Sequence, residues 1–186
     1  METDQALSAM EQIAEKEHQM MAAEIRYRLL ASTWLLAFFA GFGFLVSLDS
    51  EPVRLFGVLM LSVMASIGIT MLRGMDHVYH KLLDAAFHSG LILESDHPEL
   101  PQIRHEALVM FRPGEMLRFA GIFYGTCATV PLTVAIANAL FLQAASPALA
   151  AVAVFISVVC EAGVIAVCLH HHRDGVKGVQ RMREGH

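Results

Sequence analysis

The sequence predicts an all-α integral membrane protein, with four transmembrane helices in two hairpins and cytoplasmic helical extensions. Three observations carry this reading. Of 186 residues, 55% are hydrophobic and 17% charged, with a mean hydropathy of +0.52; a soluble domain is about 45–50% apolar and about 25% charged. The apolar residues are gathered, because residues 29–48, 55–72 and 119–160 form uncharged runs of 20, 18 and 42 residues. A run of about 18 or more apolar residues reads as a helix that crosses a bilayer. The basic residues fall to one side: in a four-span layout, 12 of the 13 Lys and Arg lie with the termini and only Arg54 lies opposite. This composition excludes a soluble enzyme, a disordered chain and a nucleic-acid-binding domain. The net charge of −5 implies no partner.

The first element is a cytoplasmic arm over 1–28. Leu7, Met10, Ala14, Met21 and Ile25 recur at helical spacing on one weak apolar face. Thr3 or Asp4 can cap its start, and Arg26 and Arg28 mark the membrane entry, where basic side chains snorkel. The arm is polar and lacks a cleavage motif, so the first span is expected to act as an uncleaved anchor. Hairpin 1 occupies 29–73, with spans at 29–48 and 55–73. A cytoplasmic segment follows over 74–117. Its apolar residues from Met75 to Leu91 recur every three or four positions, so one helix is expected to run out of the membrane to about Glu94. Residues 95–98 end it, Pro101 opens a short helix to Phe111, and Arg112-Pro113-Gly114 is a turn. The 42-residue run is too long for one crossing. Gln143, Ser146 and Pro147 divide it into spans at 118–142 and 148–170, which form hairpin 2 over 118–170. A cytoplasmic tail covers 171–186. The distribution of Lys and Arg places both termini in the cytoplasm of a cell with an inner (plasma) membrane. Cys127, Cys160 and Cys168 all lie in spans and read as free thiols.

Within a bilayer, helices gain little from hydrophobicity against one another, so close packing of small residues matters. Thr33, Ala37 and Gly41 on span one, and Ser62, Ser66 and Thr70 on span two, each recur every four residues. A turn near 51–52 sets Gly41 opposite Ser62, Ala37 opposite Ser66 and Thr33 opposite Thr70. On span three Gly121 and Gly125 form a GxxxG, continued by Thr129 and Thr133. A turn near 145 sets Thr129 opposite Glu161.

Three groups are candidate sites. Glu161 stands near the centre of span four, and an intramembrane carboxylate is costly enough to be a functional hypothesis. It is read as an ion or proton site, as a polar contact lining a pore, or as a carboxyl hydrogen-bonded to Thr129 or to a neighbouring subunit. Asn138 is an interhelical hydrogen-bonding residue. Asp76, His80, Asp84 and His88 recur every four residues opposite the apolar stripe. His80, Asp84 and His88 can share a divalent metal, but the pattern also suits a solvated or subunit-contacting face. The histidines at 170–172 point in different directions on a helix and read as interfacial anchors. No phosphate loop, zinc-protease motif, haem-ligating histidine pair or nucleophile–base pair is present in the sequence, so neither catalysis nor a cofactor is expected.

The expected function is a homo-oligomeric, non-catalytic inner-membrane protein, either pore-forming or a membrane effector. Assembly is expected through the 75–91 helix and the small-residue faces. The alternatives are an accessory or scaffold subunit of a larger complex, or an ion- or proton-coupled carrier using Glu161. In layout the chain resembles small prokaryotic multi-span proteins whose membrane hairpins are flanked by cytoplasmic helices. Some of these act as membrane effectors in bacterial defence, and the resemblance transfers no residue roles.

Overall fold

The computed structural model describes residues 3–110, 115–141 and 147–184, all of them in helices or short connections. The helices are α1 Thr3–Val46, α2 Glu51–Asp96, α3 Ile103–Met110, α4 Glu115–Phe141 and α5 Pro147–Glu184. Among the described residues there is no strand. Four helices are long and apolar enough to cross a membrane. The expected turns at 112–114 and 143–146 lie outside the described residues.

The helices do not respect the boundary between apolar and polar sequence. The N-terminal arm and the first apolar run form one helix of 44 residues, and the second run continues without a break into a helix of 46. At about 1.5 Å per residue each is roughly twice as long as the hydrocarbon core is thick. Nothing interrupts α2 at Arg73 or Gly74: neither residue blocks helix propagation strongly enough, and the apolar periodicity runs through both. Likewise α5 extends through the 170–171 boundary to Glu184. The α1–α2 connection is tight. Ser47 and Leu48 donate their backbone N–H to Phe44 and Leu45 at 3.1 and 3.2 Å. Pro52 sits in the first turn of α2, where a missing N–H is harmless.

α2 and α4 form the centre. Among the described residues α2 touches every other helix and α4 touches α1, α2 and α5, while α1 and α5 do not touch one another. The core has two layers within the apolar runs. One gathers Ala31, Ile69, Tyr124, Cys127, Ala128 and Val164; the other gathers Leu55, Leu59, Ala139, Ala150 and Ala153. Alanine dominates α4 and α5 here, and small side chains let backbones approach. A third, smaller core lies at the far end of α2, where Ala6 and Met10 of α1 meet Leu100.

α1 and α2 pack antiparallel, close to the expected register but with different residues in contact. Leu61 lies over Gly41, Leu45 over Gly57 and Trp34 over Gly68. The fit is large side chain into glycine. A methyl group at Gly68 would stand 2.7 Å from the Trp34 ring. The expected rows of small residues do not face each other. Thr33 and Ala37 are exposed, whereas Ser62 and Ser66 are buried. Ser66 Oγ donates to Ala128 O of α4 at 2.7 Å. Thr33 and Thr70 hydroxyls donate to carbonyls one turn back, Leu29 O at 3.0 Å and Ser66 O at 2.7 Å. The reason is geometric: a side chain on a helix of 3.6 residues per turn moves about 100° with each step, so a one-residue offset turns Ser66 from α1 towards α4.

The end of α2 is held by a clasp. Glu94 is fully buried, and its carboxylate accepts the backbone N–H of Arg104 at 3.1 Å and of His105 at 3.2 Å. It therefore caps the otherwise unsatisfied first turn of α3. Arg104 donates to Glu94 Oε1 at 3.1 Å and spans both oxygens of Glu17 on α1 at 2.9 and 3.0 Å. Gln102 Nε2 donates to the Glu94 and Leu100 carbonyls at 2.9 and 3.1 Å. One arginine thus joins α1, α2 and α3.

Candidate functional site

Two polar sites arise from this scaffold. The first is at Glu161. α5 presents it towards α4, and Thr133 Oγ1 donates to Glu161 Oε1 at 3.0 Å. The expected partner, Thr129, instead donates to Gly125 O on its own helix at 2.9 Å. Gly125 faces Cys168: a methyl group at Gly125 would stand 3.9 Å from its Sγ, which places the pairing one turn beyond the expected register. Gly121 meets nothing on its open side, so the GxxxG makes no tight contact within the chain at that residue. Glu161 is only half-buried, Thr133 and Thr126 are exposed, and Thr129 is half-buried. Asn138 is half-buried, and its amide nitrogen has no hydrogen-bond partner among the described residues.

The second site stands where α1 and α2 leave the apolar runs. Arg73 is 1% exposed, and its Nη1 donates to Asp76 Oδ2 at 3.0 Å. The guanidinium lies over the Tyr124 ring of α4, 5.7 Å from its centroid, a favourable cation–π position. Arg28 of α1 approaches Asp76 Oδ1 at 3.7 Å and donates to Glu24 at 3.0 Å. His80 bonds Glu24 Oε1 at 2.9 Å and lies 3.9 Å from Asp84. The rings of Tyr27 and Tyr79 meet beside them, with centroids 5.5 Å apart. The result is a chain of alternating charges from Asp84 through His80, Glu24, Arg28 and Asp76 to Arg73. Its hydrogen bonding is incomplete: Arg28 Nε, Arg73 Nε and Nη2, Asp76 Oδ1 and Tyr124 Oη are buried without a hydrogen-bond partner among the described residues.

Burial pushes the Asp76 carboxyl up and Glu24 adds to this, against the opposing pull of Arg28 and Arg73. Asp84 is also raised by burial, more than His80 lowers it. Burial alone would lower His80, but the Glu24 hydrogen bond and the charges of Asp84, Glu24 and Asp76 raise it above the ordinary histidine value.

The periodic Asp76–His80–Asp84 face is therefore only partly solvated: Asp76 is buried, while the His80 and Asp84 side chains remain 16% and 27% exposed. It turns inward onto α1, which explains why it lies opposite the apolar stripe. Among the described residues, no three His, Cys, Asp or Glu side chains are grouped as a metal would require, so His80, Asp84 and His88 do not come together as a ligand set. His80 is committed to Glu24 and Asp84. The sequence places Arg28 at the membrane entry but does not reveal that Arg28 and Arg73 both pair with Asp76. The available signal was the opposite charges at Glu24/Arg28 and Arg73/Asp76, which fall at matching heights once the α1–α2 register is known. Compared with known protein families, characterised proteins and solved structures, the chain matches none.

Proposed function

We propose that this chain is a four-span protein of a bacterial-type inner membrane, inserted as two hairpins with both termini and the 74–117 segment in the cytoplasm. It works, without catalysis, as a pore-forming or membrane-effector assembly of several copies. One observation carries the assembly: the outward stripe of α2 does not stop where the apolar run stops. Within the run Phe56, Met64 and Met71 are 64%, 65% and 70% exposed, as lipid contact allows. Beyond Arg73 the same stripe continues as Met75, Val78, Leu82 and Ile92, at 46%, 52%, 46% and 45% exposed. In this reading the hydrocarbon ends near Arg73, and an apolar stripe that continues into water marks a protein contact. The partner must itself stand at the same height beside the membrane. Another copy of the chain meets that condition by construction.

A second observation favours a shared site over a single-chain carrier. Glu161 is only partly buried by the chain's own helices, and its hydrogen bond with Thr133 lies at the exposed surface of the described bundle. The test is particle mass in lipid nanodiscs. The wild type is expected as a multiple of the chain mass, and Val78→Glu with Leu82→Glu as single copies. A wild type that runs as one copy at every concentration overturns the proposal.

A further inference from the structure

We propose that the α4–α5 face around Glu161 lines a water-filled conduit between copies, and that the ligand it accepts is a small inorganic cation. This rests on the assembly proposed above and adds the face, the ion class and the residue that selects it.

Thr126, Thr129, Thr133 and Ala137 of α4 recur every three or four residues and share one face within about one quarter of the helix circumference. Thr126, Thr133 and Ala137 are exposed. Glu161 of α5 joins that face through the Thr133 hydrogen bond at 3.0 Å. Elsewhere the exposed surface of α5 within its apolar run is hydrophobic, for example Phe155, Val158 and Ile165 at 69%, 50% and 51%. A carboxylate at mid-span belongs in a bundle interior or a watered cavity. The chain's own helices cover this one only in part, so neighbouring copies complete the enclosure.

Two features give the ion class. From residue 119 to 169 Glu161 is the only Asp, Glu, Lys or Arg. No basic side chain of α4 or α5 therefore stands at its depth to cancel its charge. Repeated around an axis, it makes a ring of carboxylates, the arrangement that selects cations. The threonines supply the wet wall. Thr129 directs its proton to the Gly125 carbonyl one turn back at 2.9 Å, and the single Thr133 proton is shared between Glu161 Oε1 and Thr129 O at 3.0 and 3.1 Å, which leaves hydroxyl lone pairs to accept from water or to meet a cation. The α2 stripe lies on a different helix from this face, so one surface can hold copies together while the other faces the conduit.

The experiment uses the full chain in planar bilayers under a KCl gradient, with particle mass measured on the same preparation. An oligomeric wild type is expected to pass K⁺ in preference to Cl⁻. Glu161→Gln should lower that preference about tenfold, the scale on which a charged constriction concentrates its counter-ion. Val158→Ala, on the hydrophobic surface, should leave it unchanged. In a background whose three native cysteines are replaced, Thr133→Cys should react with a membrane-impermeant thiol reagent and Phe155→Cys should not. An oligomer that conducts with equal selectivity in wild type and Glu161→Gln overturns the inference. So does an oligomer without conductance, or one in which Phe155→Cys is labelled and Thr133→Cys is protected; in these cases the assembly stands. A monomeric wild type removes the assembly itself, and the conduit with it.

Discussion

Glu94 and Asp76 are both buried carboxylates of α2, about five helical turns apart, each beside an arginine. Their surroundings act on them in opposite ways. Burial would raise Glu94, but the His105 side chain, the backbone N–H groups of Arg104 and His105, and the Arg104 guanidinium together hold it below the ordinary carboxylate range. Asp76 has one hydrogen bond, from Arg73, and burial prevails. An arginine nearby therefore does not by itself settle a buried carboxylate. The number of donors aimed at it does. Glu94 draws on the first turn of α3 because a loop of six residues lets that helix fold back onto the end of α2. Asp76 lies mid-helix, where the backbone is already bonded and only side chains can help.

The largest effect that would test this contrast comes from removing Glu94. Glu94→Ala leaves Arg104 buried beside Glu17 alone and the α3 N–H groups uncapped. Breaking a buried ion pair costs about 3–5 kcal/mol, and losing a cap adds about 1 kcal/mol. Thermal unfolding in detergent should show this loss, with amide exchange accelerated through α3. Unchanged exchange in α3 would mean that the clasp does not hold it.

At the boundary, Asp76→Ala should fall at the lower end of that same range of about 3–5 kcal/mol, because Arg73 keeps the Tyr124 ring face. The sharper comparison removes both charges. Arg73→Met with Asp76→Leu should be within about 1 kcal/mol of wild type, as buried pairs often are when replaced by apolar residues. The equivalent double change at Glu94 and Arg104 should remain costly, since the backbone donors of α3 stay behind. Equal costs for the two double variants would remove the distinction.

Acidity separates the regions by sign. Facing His80 are Glu24 and Arg28 from α1 and Asp76 and Asp84 from α2. The raised value of His80 makes its contribution complete below the ordinary histidine value of about 6.5, and that contribution is lost as pH rises through the folded-state value. The raised Asp76 and Asp84 act with the same sign. Glu94 has the opposite sense: its contribution is present above the ordinary glutamate value of about 4.3 and is lost as pH falls through the lowered one. Between about pH 6 and about pH 8, amide protection around Glu24 and His80 should fall while that of α3 holds, once intrinsic exchange is corrected. His80→Gln should abolish the response, and its persistence would assign the titration elsewhere.

Particular residues show what the sequence made legible. The uncharged runs reveal four apolar helices because lipid-scale hydrophobicity needs no partner to be recognised. The periodicity from Met75 to Leu91 reveals that α2 continues past Arg73. Glu161 is visible as a lone charge. The hidden part is which face meets which. Ser62 and Leu61 differ by one position but by about 100° around the helix, so an offset of one residue replaces a row of small residues by leucine on glycine. Thr133 replaces Thr129 because the pairing of α4 with α5 follows side-chain contacts and not an assumed turn centre. Arg28 reads as an anchor at the membrane entry; only the tertiary register brings it together with Arg73 at Asp76.

Two glycines of α2 offer the mildest version of the comparison. Gly90 in the clasp and Gly74 at the boundary both sit inside a continuous helix, where glycine costs about 1 kcal/mol relative to alanine. A side chain at Gly90 would collide with the guanidinium of Arg104, whereas one at Gly74 would meet nothing within 4 Å. The glycine at 90 is thus required by the arginine that joins three helices, and the one at 74 is not required by any contact. Gly74→Ala should therefore stabilise α2 by up to about 1 kcal/mol. Gly90→Ala should destabilise the protein despite the same gain in helix propensity, because Arg104 must leave Glu17 or Glu94. Combining Gly90→Ala with Glu94→Ala should cost less than the sum of the single changes, since both break one clasp. Full additivity in that double variant would show that the collision at Gly90 is relieved without disturbing Arg104, and the clasp would then be less tightly built than the distances imply.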